Sequence, residues 1–306
     1  MLGLAGAFKG KNPMKNRKSI LCVLGFVLTF MVAATAADAP RLTFRFTTIE
    51  VPGAAQTLPR GVNQTGVIVG SYVDHRAVNH GFMLKGNTVT TIDDPKGTDS
   101  FCHNISFPGA LAIVGSYTNS SGKAVGFLYK NRQFTDVPGP AGATGSFALG
   151  LNDSGEIVGS YLDAGGATHG FLLKGGAYKT LDVPGATATT ATEINKNGFI
   201  VLYWTDSKGV EKSSLYNGST YKTIDVPGAT GSLVFGLSNN QDVVYEWIDA
   251  KNRRHGALLT NGAYYKFDFP RSFQTYGSGI NDHQLIVGAY QAARGGPFQG
   301  FKATYK

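Results

Sequence analysis

Hydrophobic and polar positions alternate along this chain in short runs, and the set of runs repeats. Between residues 146 and 183 four of them follow one another: Ser146–Leu149, Ile157–Tyr161, Gly170–Leu173 and Tyr178–Val183. Each is short and carries β-branched, aromatic or alternating large apolar residues, so each predicts a strand. The stretches between them are turn-formers: Asn152-Asp153-Ser154-Gly155, Asp163-Ala164-Gly165-Gly166 and Gly175-Gly176. Pro184 closes the last run, because proline has no N–H to give a ladder. Four short strands joined by tight turns make an antiparallel meander.

The same pattern runs through residues 44–306. The closing proline recurs at Pro52, Pro95, Pro138, Pro184, Pro227 and Pro270, at intervals of 43, 43, 46, 43 and 43 residues. The second strand recurs as Ile68–Tyr72, Ile113–Tyr117, Ile157–Tyr161, Ile200–Trp204, Val243–Trp247 and Ile286–Tyr290. The third opens with His-Gly-Phe at His80 and His169, is altered around Val125, His255 and Gln299, and becomes Lys212-Ser213-Ser214 in the fourth copy. A four-stranded unit of this length predicts a propeller blade, and is too long for one rung of a β-helix. The frame is offset. The chain enters at Phe44–Glu50 on a fourth strand and leaves at Gly300–Lys302 on a third. The expected architecture is therefore all-β: a six-bladed β-propeller of four-stranded antiparallel blades, closed by the N-terminal strand, which removes the hazard of two open edges.

The first 36 residues stand outside this pattern. Lys15, Arg17 and Lys18 precede an apolar run, Ile20–Ala34, and the small-x-small site Ala34-Thr35-Ala36. That is the layout of a secretory signal peptide. Met14 is the expected true start, and Cys22 lacks the small residues that would precede a lipidated cysteine. The expected domains are a signal peptide at 1–36 and one propeller at 37–306. Removal of five basic residues and no acid takes the formal charge from +8 to +3, so nucleic acid is not suggested. Cys102 is the one cysteine left, which excludes an intramolecular disulfide. In the other copies its place is held by Pro59, Ala148, Ala191, Val234 and Gly277, so it reads as a buried structural thiol.

The motif G-[IL]-N-x-x-G-x-I-V-G-x-Y-x-D…H-G-F…T-[IL]-D-V-P-G-A resembles the HAF-repeat family of secreted bacterial proteins, with His-Gly-Phe here in place of His-Ala-Phe. The resemblance covers residues 44–306 and is weakest in the fourth copy. It implies an exported bacterial β-protein and carries over no activity and no catalytic residue.

Candidate chemistry divides into what repeats and what does not. One acid per copy precedes the proline: Glu50, Asp93, Asp136, Asp182, Asp225 and Asp268. On outermost strands these carboxylates diverge, so they read as structural. His80, His169 and His255 follow Asp74, Asp163 and Asp249 across a turn, which reads as a hydrogen bond within the hairpin. Trp204 and Trp247 replace the recurrent tyrosine and read as packing between blades. There is no H-E-x-x-H, C-x-x-C, P-loop or G-x-S-x-G, so no cofactor and no metal is expected.

A specific site must draw on residues that differ between copies. The segments that follow each proline are expected to converge on one channel mouth. Arg60, His103, Glu193, Arg271 and Tyr276 are the ligand-binding candidates there, with no catalytic residue assigned. Arg60 and Arg271 would meet once the ring closes, and Glu193 stands where four copies have glycine. The expected function is a secreted, monomeric binding or scaffold protein that takes an extracellular glycan or another protein, with no membrane contact after signal cleavage. The alternative is a polysaccharide hydrolase or lyase with Glu193 and Asp99 as acid and base.

Overall fold

Strands form where the alternation predicts them in the computed structural model, which describes residues 41–106 and 111–306; the expected signal peptide lies outside these. Among the described residues, strands numbered β1–β24 in chain order build six four-stranded sheets. In the third, β10 (Gly145–Leu151), β11 (Ile157–Leu162), β12 (Thr168–Lys174) and β13 (Ala177–Leu181) pair antiparallel in that order. The turn between β10 and β11 is set by Asn152, whose Oδ1 accepts the N–H groups of Ser154 and Glu156, and by Gly155 at φ 77°. The last strand stops sooner than expected and leaves Asp182 beyond its end.

The innermost strands are β2 (Gln56–Val62), β6 (Gly97–Ile105), β10, β14 (Ala188–Ile194), β18 (Gly231–Leu237) and β22 (Gln274–Ile280). Each packs against the next, and β22 packs against β2, so they form a closed ring around a central channel. The sixth blade is made from both ends of the chain. β22 pairs β23 (Leu285–Gln291), β23 pairs β24 (Phe298–Tyr305), and β24 takes β1 (Phe44–Ile49) as its outer strand. The register runs from Phe44 opposite Tyr305 to Ile49 opposite Gly300. The closure expected from the frame offset is the closure observed.

The core lies between blades rather than within them. One cluster joins Val114 and Val137 of the second blade to Ala148, Leu151 and Phe171 of the third. Inside four of the sheets a glycine on the second strand faces a phenylalanine on the third. Gly70 lies opposite Phe82, Gly115 opposite Phe127, Gly159 opposite Phe171, and Gly288 opposite Phe301. All four phenylalanines are fully buried. In the fourth and fifth blades the sizes are exchanged: Leu202 faces Ser214 and Tyr245 faces Ala257. The loss of His-Gly-Phe in those copies is thus a volume swap across one strand pair, which cores tolerate when total volume is kept.

Four asparagines, Asn63, Asn152, Asn195 and Asn281, tie neighbouring blades. Asn152 Nδ2 donates to the Asn195 carbonyl at 3.3 Å, and Asn195 Nδ2 donates to the Ser238 carbonyl at 3.3 Å. Asn281 Nδ2 donates to the Asn63 carbonyl at 2.9 Å, across the joint between last blade and first. One side chain therefore shapes its own turn and latches the next blade.

Candidate functional site

Every innermost strand carries a β-bulge at the same place. The register slips between Pro59 and Gly61, Cys102 and Asn104, Ala148 and Gly150, Ala191 and Glu193, Val234 and Gly236, and Gly277 and Gly279. The skipped residues are Arg60, His103, Leu149, Thr192, Phe235 and Ser278. A bulge leaves its extra residue unpaired and re-aims the side chain. All six line a single cavity of about 180 Å³ in the channel. Six equivalent positions thus hold a cation, an imidazole, two apolar groups and two hydroxyls. The repeat builds the wall, and its exceptions decorate it.

The residue after each bulge forms the waist of the channel. Four of these are glycines, and a Cβ on any of them would strike the neighbouring blade's backbone. Added to Gly150 it would lie 2.7 Å from the Glu193 Cα, and added to Gly61 it would lie 2.9 Å from the Asn104 Cα. The two exceptions, Asn104 and Glu193, reach across to each other: Asn104 Nδ2 donates to Glu193 Oε2. Glu193 Oε1 also accepts the Ile194 N–H at 3.0 Å. Burial pushes the Glu193 carboxyl well above the usual carboxylate range, against the pull of these donors. The pair closes the waist. Beyond it lies a second mouth, lined by Asn63, Asn152, Asn195 and Asn239.

His103 stacks on Phe101 with ring centroids 6.4 Å apart, and its Nε2 lies 3.1 Å from Ser116 Oγ. Burial, and then the positive charge of Arg60, push its pKa down to about 3, so the imidazole is neutral. Arg60 is enclosed by the ring yet still touches the open space of the channel. Burial works against its charge, and it makes no hydrogen bond or ion pair with any described residue. A guanidinium nonetheless stays protonated.

From this chamber a second cavity, of about 290 Å³, opens across blades five, six and one and shares Arg60, Phe235 and Ser278 with it. Tyr276 lines it, packed edge-on against Phe298 at 5.2 Å. A second arginine lines it too, and it is not Arg271. That residue sits exposed in the turn after β21 (Ala263–Phe267), at φ 63°, and lines none of the channel cavities. The segments after the prolines stay near the outer strands; it is the bulges further along that face the channel. The second cation is Arg254, at the start of β20 (Arg254–Thr260), paired with Glu246 of β19 (Val243–Ile248). Of the five expected site residues, Arg60, His103, Glu193 and Tyr276 line this connected space. Asp99 does not line it with Glu193: it accepts the Asn79 N–H at 3.1 Å and Asn79 Nδ2 at 2.9 Å. The expected acid–base pair is not assembled.

Sequence reasoning missed Asn104, Tyr203, Phe235, Glu246, Arg254 and Phe298, which also line these cavities. A signal was present for two of them. The residue before the recurrent Tyr or Trp is Ser71, Ser116, Ser160 and Ala289 in four copies but Tyr203 and Glu246 in the others.

Among solved structures this fold is similar to that of Aleuria aurantia lectin, solved with Fucα1-6GlcNAc, at 12% identity and a TM-score of 0.50 over 83% of this chain and 96% of that one. It is similar to SapL1 lectin, solved with α-methyl fucoside, at 10% identity and a TM-score of 0.53 over 82% and 94%. A putative TolB from Agrobacterium tumefaciens matches at 14% identity and a TM-score of 0.55 over 87% and 98%. At these identities the likeness is one of fold. No family model matches the chain, and no curated protein matches it in sequence.

The repeated polar residues of this propeller lie at the blade edges. Each histidine is bracketed by two acids rather than the one expected. His169 Nδ1 lies 2.8 Å from Asp182 Oδ2 and its Nε2 3.4 Å from Asp163 Oδ2. His80 sits likewise between Asp93 at 2.7 Å and Asp74 at 3.7 Å. The acid before the proline therefore holds the third strand to the end of the fourth. Elsewhere in the row Asp136 pairs with Lys96 at 2.9 Å, and Asp225 accepts the Ser213 N–H at 2.6 Å. Among the described residues no three His, Cys, Asp or Glu side chains are grouped to hold a metal. Trp247 stacks on His255 at 4.6 Å and Trp204 Nε1 donates to Ser214 Oγ at 3.0 Å, so both indoles serve packing. Cys102 is fully buried, and burial raises its thiol pKa, which leaves it inert.

His169 gives the fold a pH dependence. Asp182, first, and then Asp163 raise the His169 pKa above its ordinary value, against a smaller opposing effect of burial. A raised folded-state pKa adds stability that is complete below about pH 6.5, the unfolded value, and is lost as pH rises through the folded value. Both partners are partly exposed, with side-chain exposures of 27% and 43%, so solvent screening keeps the effect under about 1 kcal/mol. Asp182→Asn is expected to lower the melting temperature more at pH 5 than at pH 8. An equal loss at both values would contradict the assignment.

Proposed function

We propose that this protein is a secreted carbohydrate-binding propeller of the HAF-repeat type whose ligand enters the arginine-lined side of the channel. One observation carries the site: several residues that break the repeat gather in one connected space. Arg60, Phe235, Tyr203 and Tyr276 line it, and each occupies a position where other copies hold a different residue. A concave, partly aromatic cavity with a few convergent polar groups is the general form of a small-ligand site. Aromatic faces suit the apolar faces of a pyranose ring, while hydroxyls and guanidinium suit its rim. The lectins of similar fold were solved with fucosides, which supports a glycan as the ligand class. The basic, apolar and small-residue order of residues 15–36 supports export.

The test is a glycan panel probed with the purified chain beginning at Ala37. Retention of a defined glycan class, with no release of shortened product, is the expected result. Retention of no glycan at all would overturn the reading, and release of product would make the protein an enzyme instead.

A further inference from the structure

Arg60 faces the two joined cavities without a counter-charge of its own. Arg254 is paired with Glu246. Both Glu193 oxygens are engaged, one by Asn104 Nδ2 and the other by the Ile194 N–H, and His103 is neutral. Arg60 remains, partly enclosed, with no hydrogen bond and no ion pair to any described residue. An enclosed cation without a counter-charge is costly, and proteins ordinarily supply the partner from their own side chains. Here the two acids within the space are engaged elsewhere, Glu193 by Asn104 and the Ile194 N–H and Glu246 by Arg254. An anion in the cavity would supply the counter-charge that Arg60 lacks.

The surroundings narrow the kind of anion. The uncompensated charge is one, which suits a carboxylate better than a phosphate dianion. The planar guanidinium fork matches the two oxygens of a carboxylate. Aromatic rings line both cavities that Arg60 joins: Phe235 and Tyr203, 5.7 Å apart, in the inner chamber, and Phe235, Tyr276 and Phe298 in the outer one. Ser278 lines both cavities and brings a hydroxyl to the space they share. A fatty acid would leave that hydroxyl unused, and a small inorganic anion would leave the rings uncovered.

We propose that this cavity recognises a hexuronic acid residue of a glycan, its carboxylate on the Arg60 guanidinium and its ring against Phe235 and Tyr276. The proposal rests on the carbohydrate-binding reading and adds the charge of the sugar.

The test uses oligogalacturonate and oligoglucuronate, each beside its fully methyl-esterified form, so that charge changes while the sugar does not. Binding is measured by calorimetry on the chain beginning at Ala37, with Arg60→Gln and Arg60→Lys as variants and circular dichroism as the check on folding. At least one free acid is expected to bind ten-fold or more tightly than its ester. Arg60→Gln should abolish that preference, and Arg60→Lys should retain part of it. An Asp182→Ala control on the rim should bind as the parent does. Equal affinity for acid and ester, or an undiminished preference in a folded Arg60→Gln protein, would overturn the proposal. If the glycan panel retains neutral glycans only, the carboxylate assignment fails while carbohydrate binding stands. If it retains none, both fail.

Discussion

A chain that begins at Val51 should lose the closed ring. It lacks β1, and with it the six register pairs from Phe44–Tyr305 to Ile49–Gly300. It also lacks the rings of Phe44 and Phe46. Phe44 lies 4.9 Å from Phe267, and Phe46 lies 5.5 Å from both Phe269 and Phe301. Burial of a phenylalanine side chain contributes about 1.5–3 kcal/mol, and an unpaired β24 edge invites association with other copies. At about 2–4 °C per kcal/mol for a domain of this size, the expected fall in melting temperature is on the order of 10 °C or more, with aggregation. Comparison with the chain that begins at Ala37, by calorimetry and light scattering, checks this. Equal melting of the two would mean that the N-terminal strand does not close the ring.

Gly159→Ala should be nearly as damaging, though it adds one methyl group. The new Cβ would stand 1.9 Å from the Phe147 carbonyl oxygen and 2.9 Å from the Phe171 ring. The first contact is with backbone, so no rotamer change relieves it. Overpacking of a tight core costs about 1–3 kcal/mol, and more where the backbone must move. Phe171→Ala alone should cost about 3–5 kcal/mol, since it empties a fully buried site. The double variant should be no better than Phe171→Ala, because the carbonyl contact persists. Denaturant unfolding of the three proteins gives the comparison. A Gly159→Ala protein as stable as its parent would show that the strand pair is looser than its geometry.

The repeat was legible because its signals are local. Alternation, turn glycines and closing prolines each act within a few residues, and six copies reinforce the reading. Closure was legible from the frame in which Phe44 enters and Phe301 leaves. The site was harder to read. Four of five expected residues reach the channel, but for a reason the alternation does not contain. A bulge turns one residue per inner strand toward the axis, and a strict period of two has no place for it. That is why Arg271, in a turn after a proline, was expected at the mouth, while Arg254 was overlooked in a strand that reads as ordinary blade. The histidine pairing was half legible for a similar reason. Asp163 lies six residues from His169 in one hairpin, whereas Asp182 reaches it only because the third strand pairs the fourth. The exchange of Gly159–Phe171 for Leu202–Ser214 shows the converse: a copy can lose its motif and keep its fold.

The central claim is that function sits where the copies differ, inside the channel, and that the repeated rim only holds the blades together. A structure of the protein with a retained glycan tests this most directly. The account predicts a sugar in the cavity shared by Arg60, Phe235 and Ser278 on the arginine side of the Asn104–Glu193 waist. A sugar bound instead at the perimeter, against His169 and Asp182 or their equivalents in other blades, would contradict it.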